Sequence, residues 1–389
     1  MLSVNSVRGW GAESMIMLAV FAYMLNARSH CLRLSQGALA TLTLTSLFIP
    51  LTGCAQQETS TIQRRKFEDG VWSLSLSGGN QASVVNEKVR ELRLTNDAGK
   101  NWRVIPGASV GDAFECAFML NENLGWAVNH QGQVFNTKSA GESWIKISEI
   151  KDFTGAHQIE FLNERDGWLR EFLSIWRTDD GGATWRKTLS TVTPGVGGPP
   201  SAMFVVDRNH VVASGGGGQV YITRDGGENW KIETPITGNV SHTDVWFVDQ
   251  THGWLTGYIV VVAGEKLRPL ILETDDGGDN WREVSVEADL LSEANFLPSS
   301  ICVVGEDWWL AGNLRIVNGR SINFAGVLLH SSNSGKSWSE IKFATDESIV
   351  NQVRFTDHEH GWLVAGDSLY RTEDAGKTWK RVLSLLPPA

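Results

Sequence analysis

The sequence predicts an all-β ring, a seven-bladed β-propeller of four-stranded antiparallel blades. Three observations carry the prediction. An eight-residue turn motif ending in tryptophan occurs seven times, and its tryptophans (Trp102, Trp144, Trp185, Trp230, Trp281, Trp338 and Trp379) are separated by 42, 41, 45, 51, 57 and 41 residues, the spacing of propeller blades. A second motif built on Gly-Trp recurs between the turns. Of the 17 tryptophans, seven sit in the turns and six in or beside the second motif, leaving only Trp10, Trp176, Trp246 and Trp308.

The turn motif reads TNDAGKNW (95–102), TKSAGESW (137–144), TDDGGATW (178–185), TRDGGENW (223–230), TDDGGDNW (274–281), SSNSGKSW (331–338) and TEDAGKTW (372–379). Its third position holds Asp97, Asp180, Asp225, Asp276 and Asp374, whose carboxylates suit acceptance of N–H bonds from the turn that follows. Ser139 and Asn333 are weaker versions of the same device. The glycine two residues later supplies a positive φ, and the closing tryptophan starts the returning strand with a large flat surface for packing between sheets. The set resembles the Asp-box, also called the BNR repeat.

The second motif is Gly125-Trp126-Ala127-Val128, Gly167-Trp168-Leu169, Gly253-Trp254-Leu255-Thr256-Gly257 and Gly361-Trp362-Leu363-Val364-Ala365-Gly366, with looser forms around Trp72 and Trp309. Blade four has His210-Val211-Val212-Ala213 there and no tryptophan. The last repeat shows the expected unit: an inner strand over 351–357, a turn at 358–360, then strands over 361–366, 369–372 and 379–385.

This layout puts all seven boxes on one face of the disc and the second-to-third and blade-to-blade connections on the other. The wide spacings come from insertions on the latter face, at 258–269 and 313–325, both read as hairpins extended beyond the disc; longer blade-to-blade loops are expected at 193–200 and 284–298. Insertions gathered on one face of a repeat protein mark a binding face. Lys266, Arg268, Arg315 and Arg320 form a basic group at the hairpin tips. Two readings of it stay open: cations that meet an acidic or carboxylate-bearing partner, or solvated tips kept soluble by charge.

The chain is acidic, with net charge −10, which argues against nucleic acid as a partner because phosphate binding needs a basic face. Residues 1–53 read as a secretory signal with Met24 as the expected start: Arg28 and Arg33 precede an apolar stretch over 38–49 and then Leu51-Thr52-Gly53-Cys54. That ending resembles a bacterial lipobox, so Cys54 is expected to be lipidated, followed by a polar tether over 54–66 and the propeller over 67–389. The apolar run carries Thr41, Thr43, Thr45 and Ser46 and breaks at Pro50, too short for a spanning helix. By analogy with lipoproteins, the absence of Asp after the cysteine favours an outer membrane in a Gram-negative cell. Cys116 and Cys302 fall in blades two and six and read as two separate buried thiols.

Enzymatic readings fit less well. The box carboxylates are a turn device spaced around a ring, which keeps them from pairing at glycosidase separations. A sialidase needs an arginine triad and a Tyr/Glu pair, whereas Arg103-Val104-Ile105-Pro106 follows a box and the exported part has only Tyr221, Tyr258 and Tyr370. Gly215–Gly218 lacks the Lys-Ser/Thr of a phosphate loop, His358-Glu359-His360 lacks zinc-protease spacing, and Asp275, Asp276 and Asp279 do not match an EF-hand. No metal or cofactor is expected. Seven boxes with interleaved Gly-Trp strands behind a lipobox resemble the propeller family of photosystem II assembly and stability factors of cyanobacteria and plastids, with relatives in non-photosynthetic bacteria. That resemblance covers roughly 67–389. It implies a non-enzymatic, membrane-tethered scaffold, monomeric and outside the cytoplasm, that holds a membrane or envelope protein partner: a photosystem II precursor in a photosynthetic host. It also implies arginines presented on the ring. The alternative is a glycoside hydrolase, sialidase-like enzyme or carbohydrate-binding surface module, for which turnover on a glycoside panel is the discriminating observation.

Overall fold

The fold comes from a computed structural model that describes residues 72–384 apart from 77–79, 87–90, 106–113, 193–197, 263–265, 286–294, 319–320 and 343–348. Among the described residues every regular element is a strand, and the strands form seven four-stranded antiparallel sheets, each built from four consecutive strands. The inner strands are Trp72–Leu76, Phe114–Met119, Ala156–Phe161, Pro200–Val205, Val240–Phe247, Asn295–Val304 and Val350–Phe355. In blade seven the remaining strands are Gly361–Ala365, Ser368–Thr372 and Lys380–Ser384, each within two residues of its expected bounds.

Packing closes the ring. Seven apolar clusters occupy the seven blade interfaces, and each takes in one box tryptophan: Trp144, Trp185, Trp230, Trp281, Trp338 and Trp379 for successive interfaces, and Trp102 where blade one meets blade seven. A half-buried indole removes on the order of 100 Å² of apolar surface from water, about 2–3 kcal/mol. The second-motif tryptophans reach the next blade directly. Trp126 stacks on Phe161 and Trp309 on Phe355, both with ring centroids 3.6 Å apart. Their indole N–H groups donate to the box carbonyls of Gly181 at 2.9 Å and Ala375 at 3.3 Å. In blade four, where the tryptophan is missing, His210 takes over this link: its Nε2 lies 3.0 Å from the carbonyl of Gly277 in the next box, which makes it the donor.

Inside each box the geometry is local and repeated. In blade four, Asp225 Oδ1 accepts from Thr223 Oγ1 and the Asn229 N–H, both at 2.9 Å, and Oδ2 accepts from Asn229 Nδ2 at 2.8 Å; Gly227 N–H donates to Thr223 Oγ1 at 2.8 Å. Asn333 and Ser139 accept the equivalent backbone bonds, at 2.9 and 3.0 Å. The turn asks for more than the expected glycine: the residue before it also has positive φ in all seven boxes. Glycine fills that place in blades three to five, but Ala98, Ala140, Ser334 and Ala375 hold φ of 55–63°, against the preference of L-residues.

The two insertions are strand extensions. Blade five pairs Gly253–Val262 with Lys266–Thr274, and blade six pairs Asp307–Asn318 with Ser321–Ser331, strands of 9 to 12 residues against five in their blade-seven counterparts. Two loop boundaries shift: Pro200 and residues 295–298, expected in the connections over 193–200 and 284–298, lie within the inner strands of blades four and six, where bulges after Pro200 and Pro298 accommodate the missing N–H groups. Cys116 and Cys302 are buried, outside any disulfide, and lie in different interface clusters.

Candidate functional site

The inner strands enclose a cavity of about 530 Å³ on the ring axis, lined by residues of all seven blades. Its central layer follows from register. In six blades the lumen-lining residue stands eight positions before the residue it faces on the second strand: Ser75, Phe118, Glu160, Phe204, Trp246 and Arg354, opposite Ser83, Trp126, Trp168, Val212, Trp254 and Trp362. Three large aromatics and two opposite charges thus share one level of a narrow cavity.

The polar wall is held by one buried ion pair. Arg354 Nη1 and Nη2 donate to Asp244 Oδ2 and Oδ1 at 3.0 and 3.1 Å, and Nη1 also reaches Ser300 Oγ at 2.6 Å. The guanidinium lies 5.1 Å from the centre of the Trp246 ring, a cation–π contact. Burial works against the Arg354 charge, but the adjacent Asp244 carboxylate outweighs it and holds the pKa above its ordinary value.

Glu160 and Arg170 lack such partners. Burial raises the Glu160 carboxyl to about 7, opposed by a 3.4 Å contact from Gln158 Nε2 and by the field of Arg354. Burial lowers Arg170 to about 10; it donates to the Pro200 carbonyl at 3.1 Å and Gln158 Oε1 at 3.5 Å, and no carboxylate among the described residues pairs with it. His157 touches lumen solvent, yet the protein around it and then Arg170 push its imidazole down to about 4. A cavity offering an uncompensated guanidinium, aromatic walls and side-chain amides suits an extended peptide segment with an acidic group.

The residues singled out from sequence lie elsewhere. The box aspartates are engaged in their own turns; N–H donation from Asn229 lowers Asp225 to about 2, and the Asn280 side chain does the same for Asp276. Lys266 and Arg268 stand on the third strand of blade five and Arg315 on the second strand of blade six. Arg268 pairs with Glu283, which offsets its charge, and Arg315 is half-buried. Arg320 and Cys54 lie outside the described residues. Sequence reading passed over the lumen residues, although counting eight back from each Gly-Trp tryptophan finds Phe118, Glu160, Trp246 and Arg354. Among the described residues no group of histidine, cysteine, aspartate or glutamate is arranged to hold a metal ion.

Comparison with known proteins places this geometry. The family model for the photosynthesis system II assembly factor YCF48 matches residues 94–239 and 231–346. The photosystem II assembly lipoprotein Ycf48 of Synechococcus sp. is 30% identical over 141 residues, 35% of either chain, so that match spans about a third of the relative. The chloroplastic photosystem II stability/assembly factor HCF136 of Cyanidioschyzon merolae is 25% identical over 325 residues, 79% of this chain and 71% of the relative. A structure of YCF48 bound to a D1 peptide superposes with a TM-score of 0.58 at 17% identity, over 79% of this chain and 94% of that one. A GH74 xyloglucanase from Xanthomonas campestris superposes with a TM-score of 0.59 at 12% identity, over 80% of this chain and 56% of the enzyme; both likenesses speak to the fold. The family-model match covers more than half of the sequence, and the chain belongs to the photosynthesis system II assembly factor YCF48 family.

Proposed function

We propose that this chain is a non-enzymatic holding factor that binds an extended segment of an unassembled membrane protein, a photosystem II precursor in a photosynthetic host. The observation that carries the reading is the lumen, where Arg170 stands without a carboxylate among aromatic and amide side chains. The D1 peptide named with the YCF48 structure supports a segment of that kind as ligand. Lumen chemistry also favours binding over hydrolysis. Of the two lining carboxylates among the described residues, Asp244 is committed to Arg354 and Glu160 is left, whereas glycoside hydrolysis uses a pair.

The rest of the reading comes from the sequence: lipidation at Cys54, a polar tether, and Lys266, Arg268, Arg315 and Arg320 as an outer contact for the same partner. The names of the relatives, a lipoprotein and a chloroplastic factor, support an exported, membrane-associated location and do not favour an outer membrane over another.

The test is a fluorescence-anisotropy titration of a labelled D1 peptide against the full chain. Saturable binding is expected, weakened about tenfold by Arg170→Gln through loss of a charge-assisted bond, and weakened further when the four outer cations are replaced by Ala. Absence of saturable binding overturns the proposal, as does turnover on a xyloglucan and sialoside panel that Glu160→Gln abolishes.

A further inference from the structure

The charge of the lumen turns on one group. Its titratable lining among the described residues is His157, Glu160, Arg170, Asp244 and Arg354; blades one, two, four and six add no described titratable side chain to it. Asp244 and Arg354 are paired with each other, and His157 is neutral above its pKa of about 4. With a proton on Glu160 the wall carries two guanidinium groups against one carboxylate; without it, two against two.

Little around Glu160 supports its charge. The hydrogen bond it accepts is the 3.4 Å contact from Gln158 Nε2, and the same nitrogen donates to the Met203 carbonyl at 2.8 Å. Arg354 is engaged elsewhere: Nη1 and Nη2 serve Asp244, and Nη1 also meets Ser300 Oγ and the carbonyls of Ile301 and Val353. Phe118 and Phe204 stand at the level of Glu160 on the flanking blades. A carboxyl so placed keeps its proton more readily than one in water, in line with its pKa of about 7. Arg170 is one amide away, since Gln158 Oε1 accepts from its Nε at 3.5 Å. A ligand carboxylate drawn to that guanidinium meets either a neutral Glu160, which can donate through O–H, or a second negative charge in a cavity of about 530 Å³, where water screens little.

We infer that Glu160 sets the selectivity of the lumen: an acidic segment enters together with one proton from solvent, which is held on the Glu160 carboxyl, and an ionised Glu160 opposes such a segment. The inference deepens the holding-factor reading and rests on it. Affinity for an acidic segment is full below pH 7 and falls above it, as the group that must carry the proton loses it. A segment without carboxylates gains nothing from the proton.

The test titrates the full chain with a D1 peptide labelled at its N-terminus and chosen to contain Asp or Glu but no His or Cys, so that no group of the probe titrates between pH 6 and pH 8. With about one tenth of the free protein protonated at Glu160 at pH 8, Kd from fluorescence anisotropy is expected to be about tenfold higher there than at pH 6. Glu160→Gln, whose amide stays neutral, is expected to bind at pH 8 as tightly as the parent does at pH 6, a gain that misfolding cannot produce. Calorimetry at pH 8 in HEPES and in Tris is expected to show nearly one proton taken up per peptide bound by the parent and none by the variant. The same peptide with its carboxylates replaced by amides is expected to bind without pH dependence. Equal parent Kd at the two pH values, a Glu160→Gln protein that binds no better than the parent at pH 8, equal proton uptake by both, or equal pH dependence of the amide peptide overturns the inference and leaves the holding-factor reading standing. No saturable binding at either pH overturns that reading, and the proton-linked selectivity falls with it.

Discussion

Asp244 and Arg354, 110 residues apart in sequence, meet in a two-nitrogen grip that spans a whole blade: one is on the inner strand of blade five, the other on that of blade seven. The intervening blade six is tied in as well, since Asp244 Oδ2 accepts the Ile301 N–H at 3.2 Å and Arg354 bonds Ser300. Three blades are thus fastened at the axis by one ion pair.

Removing one member strands a charge in the wall. Asp244→Ala is expected to destabilise the protein by about 3–5 kcal/mol, read as a lower urea midpoint. Asp244→Leu combined with Arg354→Met, which removes both charges and keeps apolar volume, should lose much less. Equal losses in the two proteins would mean that the pair acts through shape and not through charge.

Glu160 opposes stability at high pH. Its folded pKa, about 7, lies above its ordinary value of 4.5, so the folded state holds a proton that the unfolded state has released. The stabilisation is complete below pH 4.5 and is lost as pH rises through 7. Glu160→Gln should therefore gain on the order of 3 kcal/mol over the parent at pH 8 and nothing at pH 4, measured by urea unfolding at both values.

His242 works in the other direction. Burial lowers its pKa from 6.5 to about 4, with the Gln219 carbonyl acting weakly against the shift. The unfolded state binds the proton first on acidification, so stability is intact above pH 6.5 and declines between 6.5 and 4, by on the order of 3 kcal/mol. Its slope and that of Glu160 oppose each other over the shared range. His242→Phe should remove the acid-side decline in a pH series of thermal midpoints, and an unchanged profile would exclude this histidine as its source.

The box of blade seven contrasts two neighbours. Ala375 holds φ of 61°, and Ala375→Gly should stabilise by about 1 kcal/mol by relieving that strain. At Gly376, φ is +87° and an added Cβ would stand 3.0 Å from Ile341 Cδ1; Gly376→Ala should lose at least about 1–2 kcal/mol. Paired urea curves decide, and the same sign for both changes would contradict the turn geometry.

The boxes were legible because their chemistry is local: Thr223, Asp225, Gly227 and Asn229 bond to one another within seven residues. The projecting hairpins were legible as alternation around a polar tip. The lumen was not, because a strand pattern shows that Glu160 and Arg354 share a register position only after the second-strand partner is known, and nothing local ties Asp244 to a cation two blades away. His210 was visible as the gap in the tryptophan pattern; its bond to Gly277 required the next blade to be in place.

Since each sheet uses four consecutive strands, the seam at Trp102 and Trp362, whose rings meet edge to face at 6.3 Å, is sealed among the described residues by side chains, with no strand of those residues borrowed across it. Every wedge is a self-contained copy unit. Gene duplication can lengthen such an array one whole wedge at a time, and a circularly permuted chain opened at any link between wedges would leave all seven intact.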